Sequence, residues 1–211
     1  SSGPIGMPFK FTGAGFGSYA GTLTRVLVDG ATAPLSVWND TMISGTIPGV
    51  APGAKMIVIQ RSASAILSTS PNFAFEVTVP SVTSVSPSSG PIGAVFTLNG
   101  NSFGPYAGTL TRVLIGGAAA PLSLWNDTTI KGTVPGSLSP GAQTMIVERR
   151  ASDGGLVQSS ASLFHVAGLV VSSLAPSSGP IGVPFSISGE GFGVYDGANT
   201  RVKFGVSTAA L

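Results

Sequence analysis

Short apolar stretches of strand length alternate along the chain with turns rich in Gly, Pro, Asn and Asp, and no helical period is sustained over three turns. The pattern predicts strands near Phe9–Thr12, Thr24–Val28, Leu35–Trp38, Met42–Ile47, Lys55–Gln60, Phe73–Val77 and Ser81–Val85. Phe9 and Phe11 alternate with Lys10 and Thr12, and Val26 and Val28 with Leu27, so these strands bury one face and wet the other. Ser and Thr occupy many outward positions where Lys and Glu ordinarily stand.

The pattern repeats. "SSGPIG" occurs at Ser1–Gly6, Ser88–Gly93 and Ser177–Gly182, and Gly3, Gly90 and Gly179 recur at intervals of 87 and 89 residues. "GTLTRVL" at Gly21–Leu27 returns at Gly108–Leu114, with "GANTRVKFG" at Gly197–Gly205 as a degenerate third form. "APLSVWNDTMISGTIPG" at Ala33–Gly49 matches "APLSLWNDTTIKGTVPG" at Ala120–Gly136. The repeat divides the chain into residues 1–79, without a leading strand, residues 80–167, and residues 168–211, the N-terminal part of a third domain. The expectation is a window on a longer tandem array. About seven short strands in slightly under 90 residues predict all-β, tandem immunoglobulin-like β-sandwiches, two near-complete and one partial, without the Cys, Trp, Cys pattern of antibody domains.

The order "SSGPIG", alternating strand, "GxGFG" (Gly13–Gly17, Gly189–Gly193), "TRV" strand, "WNDT" and "IPG" or "VPG" resembles the IPT/TIG domain, of the E-set type, over essentially the whole chain. The resemblance implies an immunoglobulin-like fold, found in cell-surface receptors, Rel-class transcription factors and many bacterial surface and carbohydrate-active proteins. It specifies a fold far better than a role, since one fold hosts unrelated functions. The second copy departs by reading "NGNSFG" at Asn99–Gly104. Asn tolerates the left-handed conformation, so the turn is expected to survive there.

Composition narrows the role. Hydrophobic residues make up 43% of the chain, enough for packed cores despite 30 Gly and 16 Pro. The formal net charge is only +2, without a cationic cluster, so nucleic-acid binding is not expected. Arg149 and Arg150, the one adjacent pair of arginines, read as solvated residues at a strand end. With no cysteine, disulfides, thiolate metal sites and thiol nucleophiles are excluded. No apolar run is long enough to insert in a membrane.

Chemistry is sparse. The glycine-rich "GAGFG" and "GEGFG" lead into turns and strands where a phosphate loop would need a helix, so they read as tight turns. His165 is the single histidine, so no histidine dyad or metal cluster can form around it. Asp29, Asp40, Asp127 and Asp196 lie at loops without the spacing of a calcium loop. No enzyme, cofactor or metal site is therefore expected. Asn39-Asp40-Thr41 and Asn126-Asp127-Thr128 match the N-glycosylation pattern, but the same residues suit an Asx turn. Trp38 and Trp125 fall at matching positions, either packed beside that turn or as weak candidates for contact with carbohydrate. Tyr19, Tyr106 and Tyr195 recur as loop anchors. The stiff, apolar, Pro-containing connections "VTVPSVTSVSPSSG" and "HVAGLVVSSLAPSSG" predict a rod. The expected role is a non-catalytic structural or adhesive protein of a bacterial cell surface, a stalk or filament block that associates with itself or with neighbouring repeats. The alternative is a ligand-binding module, most plausibly for polysaccharide, attached to a larger enzyme or adhesin.

Overall fold

In the computed structural model the described residues are 1–63, 66–193, 195, 197 and 200–210. The first copy contains β1 (Ser2–Pro4), β2 (Pro8–Thr12), β3 (Thr24–Val28), β4 (Ala31–Thr32), β5 (Leu35–Trp38), β6 (Met42–Thr46), β7 (Gly53–Ala63), β8 (Ile66–Thr69) and β9 (Phe73–Thr78). The second contains β10 (Ser81–Ser86), β11 (Ser89–Gly90), β12 (Val95–Asn101), β13 (Thr111–Ile115), β14 (Ala118–Ala119), β15 (Leu122–Trp125), β16 (Thr129–Thr133), β17 (Gly141–Arg150), β18 (Leu156–Gln158) and β19 (Ser162–Val166). The third contributes β20 (Val170–Ala175), β21 (Ser186–Glu190), β22 (Lys203–Phe204) and β23 (Ser207–Thr208).

The chain is all-β. One sheet of the first copy runs β1-β9-β7-β3-β4, with β8 extending β7, and the other runs β2-β6-β5. The second copy repeats this as β11-β19-β17-β13-β14, with β18 on β17, opposite β10-β12-β16-β15. Inward residues from the two sheets meet in the core: Val26, Val28, Ile57 and Ile59 face Ile43 in the first copy, as Val113, Ile115, Met145 and Val147 face Ile130 in the second. Each such side chain contributes about 1.5–3 kcal/mol on leaving water, so these alternating positions decide the fold.

The "SSGPIG" segment crosses between sheets. It follows β10, which pairs with β12, and then becomes β11, which runs parallel to β19 in the opposite sheet. Gly6, Gly93 and Gly182 close its turn at φ of 70°, 79° and 86°, a conformation that favours glycine. In the deviant loop of the second copy, the left-handed position falls on Ser102 (φ 60°), where the first copy has Gly15, and Asn101 stays within β12. The short strands β1, β4 and β8 carry no readable alternation; β8 is a wholly exposed hairpin arm.

Candidate functional site

A cluster of polar contacts lies at the junction of the first two copies. Strand β17 continues the inward register of Met145 and Val147 to Arg149, which is fully buried. That corrects the expectation of a solvated arginine. The sheet places the guanidinium past the end of the second copy's core, against the "SSGPIG" turn of the first. Its Nε donates to the Ile5 carbonyl, and its Nη1 donates to the carbonyls of Phe103 (3.0 Å) and Pro105 (2.8 Å). Burial pulls the guanidinium below its ordinary pKa, and the charge of Asp127 pulls it partly back. An arginine stays protonated under either influence.

Backbone closeness makes this contact possible. A Cβ on Gly104 would meet Pro4 Cγ at 2.8 Å and Arg149 Nη1 at 2.9 Å, and Gly104 sits at φ 66°. Asp127 holds that loop by accepting a hydrogen bond from Gly104 N–H at 2.9 Å, as Asp40 does from Gly17 N–H. On the other flank the Gly49 N–H donates to Asp153 Oδ2 at 2.8 Å. A Cβ on Gly49 would collide with the Cα of Gly155. Between these polar contacts, Ala151 and Val157 of the second copy join the hydrophobic cluster of the first, beside Ile5 and Ile47. The two copies thus share a core.

Arg150 remains partly exposed and donates to Glu148 at 3.1 Å. Glu148 is buried and also bonds Arg112 and Gln158. Burial by itself would raise its pKa, but the hydrogen bonds from Gln158, Arg112 and Arg150 outweigh it and hold the carboxyl below its ordinary value.

Among the residues singled out from sequence, both tryptophans are half-buried and packed against their cores. Trp38 Nε1 donates to the Phe16 carbonyl at 3.3 Å and Trp125 Nε1 to the Gly104 carbonyl at 2.9 Å, fastening each ring to its glycine loop. Tyr19 and Tyr106 are the exposed partners, with ring centroids 6.4 Å and 6.2 Å from those indoles. Asn39 and Asn126 form Asx turns, accepting from Thr41 N–H and Thr128 N–H at 3.0 Å. Asp29 pairs with Lys55 at 2.9 Å, His165 lies exposed on β19, and Asp196 lies outside the described residues. The structure thus pairs each tryptophan with a tyrosine of its own copy, while among the described residues the carboxylates and His165 form no metal-ligating group. Arg149, missed as a site residue, had one signal: it continues the buried alternation of Met145 and Val147 along its strand.

Residues 80–165 match the family described as IPT/TIG domain. The second copy is an IPT/TIG domain. The first, with the same sequence blocks and strand order, is an IPT/TIG-like neighbour in tandem. No curated protein sequence matches the chain. Among solved structures, it is similar to a surface glycan-binding protein B (SGBP-B) of Bacteroides ovatus in complex with a mixed-linkage heptasaccharide, at 20% identity over 81% of this chain and 44% of that one, with a TM-score of 0.33. It is also similar to the extracellular region of plexin A4, at 16% identity over 83% of this chain and 16% of that one, with a TM-score of 0.45. An auxiliary nutrient binding protein from Bacteroides thetaiotaomicron gives 19% identity over 46% and 22%, with a TM-score of 0.39. The chain spans less than half the length of each.

Beside the tryptophan of the first IPT/TIG-like copy runs an open cleft of about 600 Å³, lined by Tyr19, Thr22, Arg25, Ser36 and Trp38. Arg25 Nε is engaged there with Gln60 Oε1 at 2.9 Å. No helix among the described residues is long and apolar enough to cross a membrane.

Proposed function

We propose that this chain is a non-catalytic segment of a bacterial extracellular stalk or filament, built of IPT/TIG units at residues 1–79, 80–167 and 168–211 that hold one another at a set angle. The observation that carries this reading is Arg149: one buried cation ties two carbonyls of the second copy to the Ile5 carbonyl of the first, above a shared apolar core. A flexible string of independent modules would have no need for a buried inter-unit cation, whose desolvation is costly unless its partners are fixed. The test is small-angle X-ray scattering of the full chain. A single extended conformation is expected, and Arg149→Ala should broaden it into an ensemble; a wild-type chain that already samples many orientations would refute the reading.

A second reading, binding of polysaccharide, is favoured by the cleft that sets the exposed Tyr19 face beside Trp38, Thr22 and Arg25. An aromatic face flanked by hydroxyl and guanidinium donors suits a sugar ring. Calorimetric titration with soluble glucans checks it. Binding that survives both Tyr19→Ala and the Trp38→Ala, Trp125→Ala pair would sink it.

A further inference from the structure

The open cleft beside Tyr19 and Trp38 has a matching place in the second copy, and the two differ in charge. Strand β3 sets Arg25 beside its cross-strand partner Gln60 on β7, and β13 sets Arg112 beside Glu148 on β17. Exchanging an amide for a carboxylate decides how much of each guanidinium is free. Arg112 gives both Nε and Nη2 to Glu148 Oε1, so its charge is met and its fork is taken. Arg25 gives only Nε, to the neutral Gln60 Oε1 at 2.9 Å, and its two Nη groups donate to no described residue.

Among the described residues that line the cleft, Arg25 is the only charged one, and no carboxylate stands there to meet it. Around it are the hydroxyls of Thr22, Thr32 and Ser36 and the ring of Tyr19, which is 58% exposed. The second copy has Ala119 and Leu124 where the first has Thr32 and Val37, one hydroxyl fewer and a bulkier side chain at the same place. The opening does not depend on what adjoins the unit. The first copy keeps it with the second docked against its Pro-Ile-Gly turn, and Tyr106 of the second copy is 59% exposed with the first docked on that copy. A unit docked in this manner on either side leaves the face free.

We propose that the cleft of the first copy selects acidic polysaccharide. A sugar ring lies on Tyr19, its hydroxyls meet Thr22 and Ser36, and its anionic group, a uronate carboxylate or a sulfate ester, is taken by the free Nη edge of Arg25. A planar guanidinium receives an oxyanion through two parallel hydrogen bonds, which a neutral hydroxyl cannot match. With Glu148 already on Arg112, the second copy offers an anion no open fork. Such selection rests on the polysaccharide reading above, to which it adds the charge of the ligand.

Calorimetric titration of the full chain with oligogalacturonate, a sulfated galactan and a neutral mixed-linkage glucan tests this. At least one of the two acidic ligands should bind at least about tenfold more tightly than the glucan, and which of them does so tells carboxylate from sulfate. Arg25→Ala and Gln60→Glu should each bring that acidic ligand down to the affinity of the glucan or below. Arg25 is exposed, so its variant keeps the fold, and Gln60→Glu installs the ion pair of the second copy while leaving the arginine in place. Raising salt from about 0.05 M to about 0.5 M should weaken the acidic ligand and not the glucan. Glucan binding as tight as that of both acidic ligands overturns the proposal and leaves the polysaccharide reading standing, as does an acidic preference that survives both variants. Binding of none of the three removes both.

Discussion

Replacing Arg149 with Ala removes one donor group from three carbonyls at once, those of Ile5, Phe103 and Pro105. Each buried acceptor left without its donor costs about 1–3 kcal/mol, a gross loss of about 3–9 kcal/mol. Removing the guanidinium also relieves the cost of burying a charge, which is itself several kcal/mol. The net expectation is a destabilisation of about 2–4 kcal/mol, against about 0.5 kcal/mol or less for an exposed arginine. The loss is also unequally shared, because two acceptors belong to the second copy and one to the first. Each of these copies carries a single tryptophan, so Trp38→Phe and Trp125→Phe backgrounds let fluorescence follow one copy at a time through urea unfolding. In the parent chain the two transitions should coincide. In Arg149→Ala they should separate, with the transition reported by Trp125 shifting more. Arg149→Lys keeps the charge but loses the fork, and should fall between the two. If Arg149→Ala unfolds within about 0.5 kcal/mol of the parent, or both copies still melt as one, the reasoning about this junction is wrong.

Gly49→Ala should drive the copies apart, because its methyl group meets Gly155 backbone, whereas Gly136→Ala at the matching position of the second copy meets only Ile92 Cγ2 at 3.9 Å; scattering should broaden for the first and not for the second. Ser102→Gly relieves a left-handed serine and should raise the urea midpoint by an amount worth up to about 1 kcal/mol; a lower midpoint would contradict the strain argument. Glu148 has a folded pKa below its unfolded value, so its contribution is complete above about pH 4.3 and is lost as pH falls through the folded value. Glu148→Gln should therefore lower stability at neutral pH and flatten its acid dependence, as read from urea midpoints at about pH 7 and about pH 3. Thr111→Val removes the hydroxyl that accepts from Ala107 N–H and donates to Gly108 carbonyl, and should cost about 1 kcal/mol or slightly more by the same measurement.

A strand such as Thr24–Val28 was legible residue for residue because alternation reports directly on which face is buried. The edges were harder. β7 runs on to Ala63 through Arg61 and Ser62, polar residues that lengthen a hairpin without adding an apolar signal. The junction was the least legible part, because its acceptors are backbone carbonyls, which no side-chain pattern records, and Arg149 reaches Ile5 from the next repeat. The doublet Arg149-Arg150 suggested solvent, and only one of its members takes that place. The period of two along Met145, Val147 and Arg149 held the correct reading, since it assigns Arg149 to the inner face whatever its charge.

The shared core has a consequence for biosynthesis. The first copy's own strands are complete when Thr78 emerges from the ribosome, but the residues that cover Ile5 and complete its apolar cluster, Ala151 and Val157, are translated almost a full repeat later. The first unit must therefore wait, with its Pro-Ile-Gly turn uncovered, for the hairpin of the second, and its maturation should trail translation by one unit. Nascent chains arrested before Ala151 should yield a first copy more susceptible to protease than chains arrested after the second unit has emerged, and equal susceptibility would show that the first copy needs no such lid.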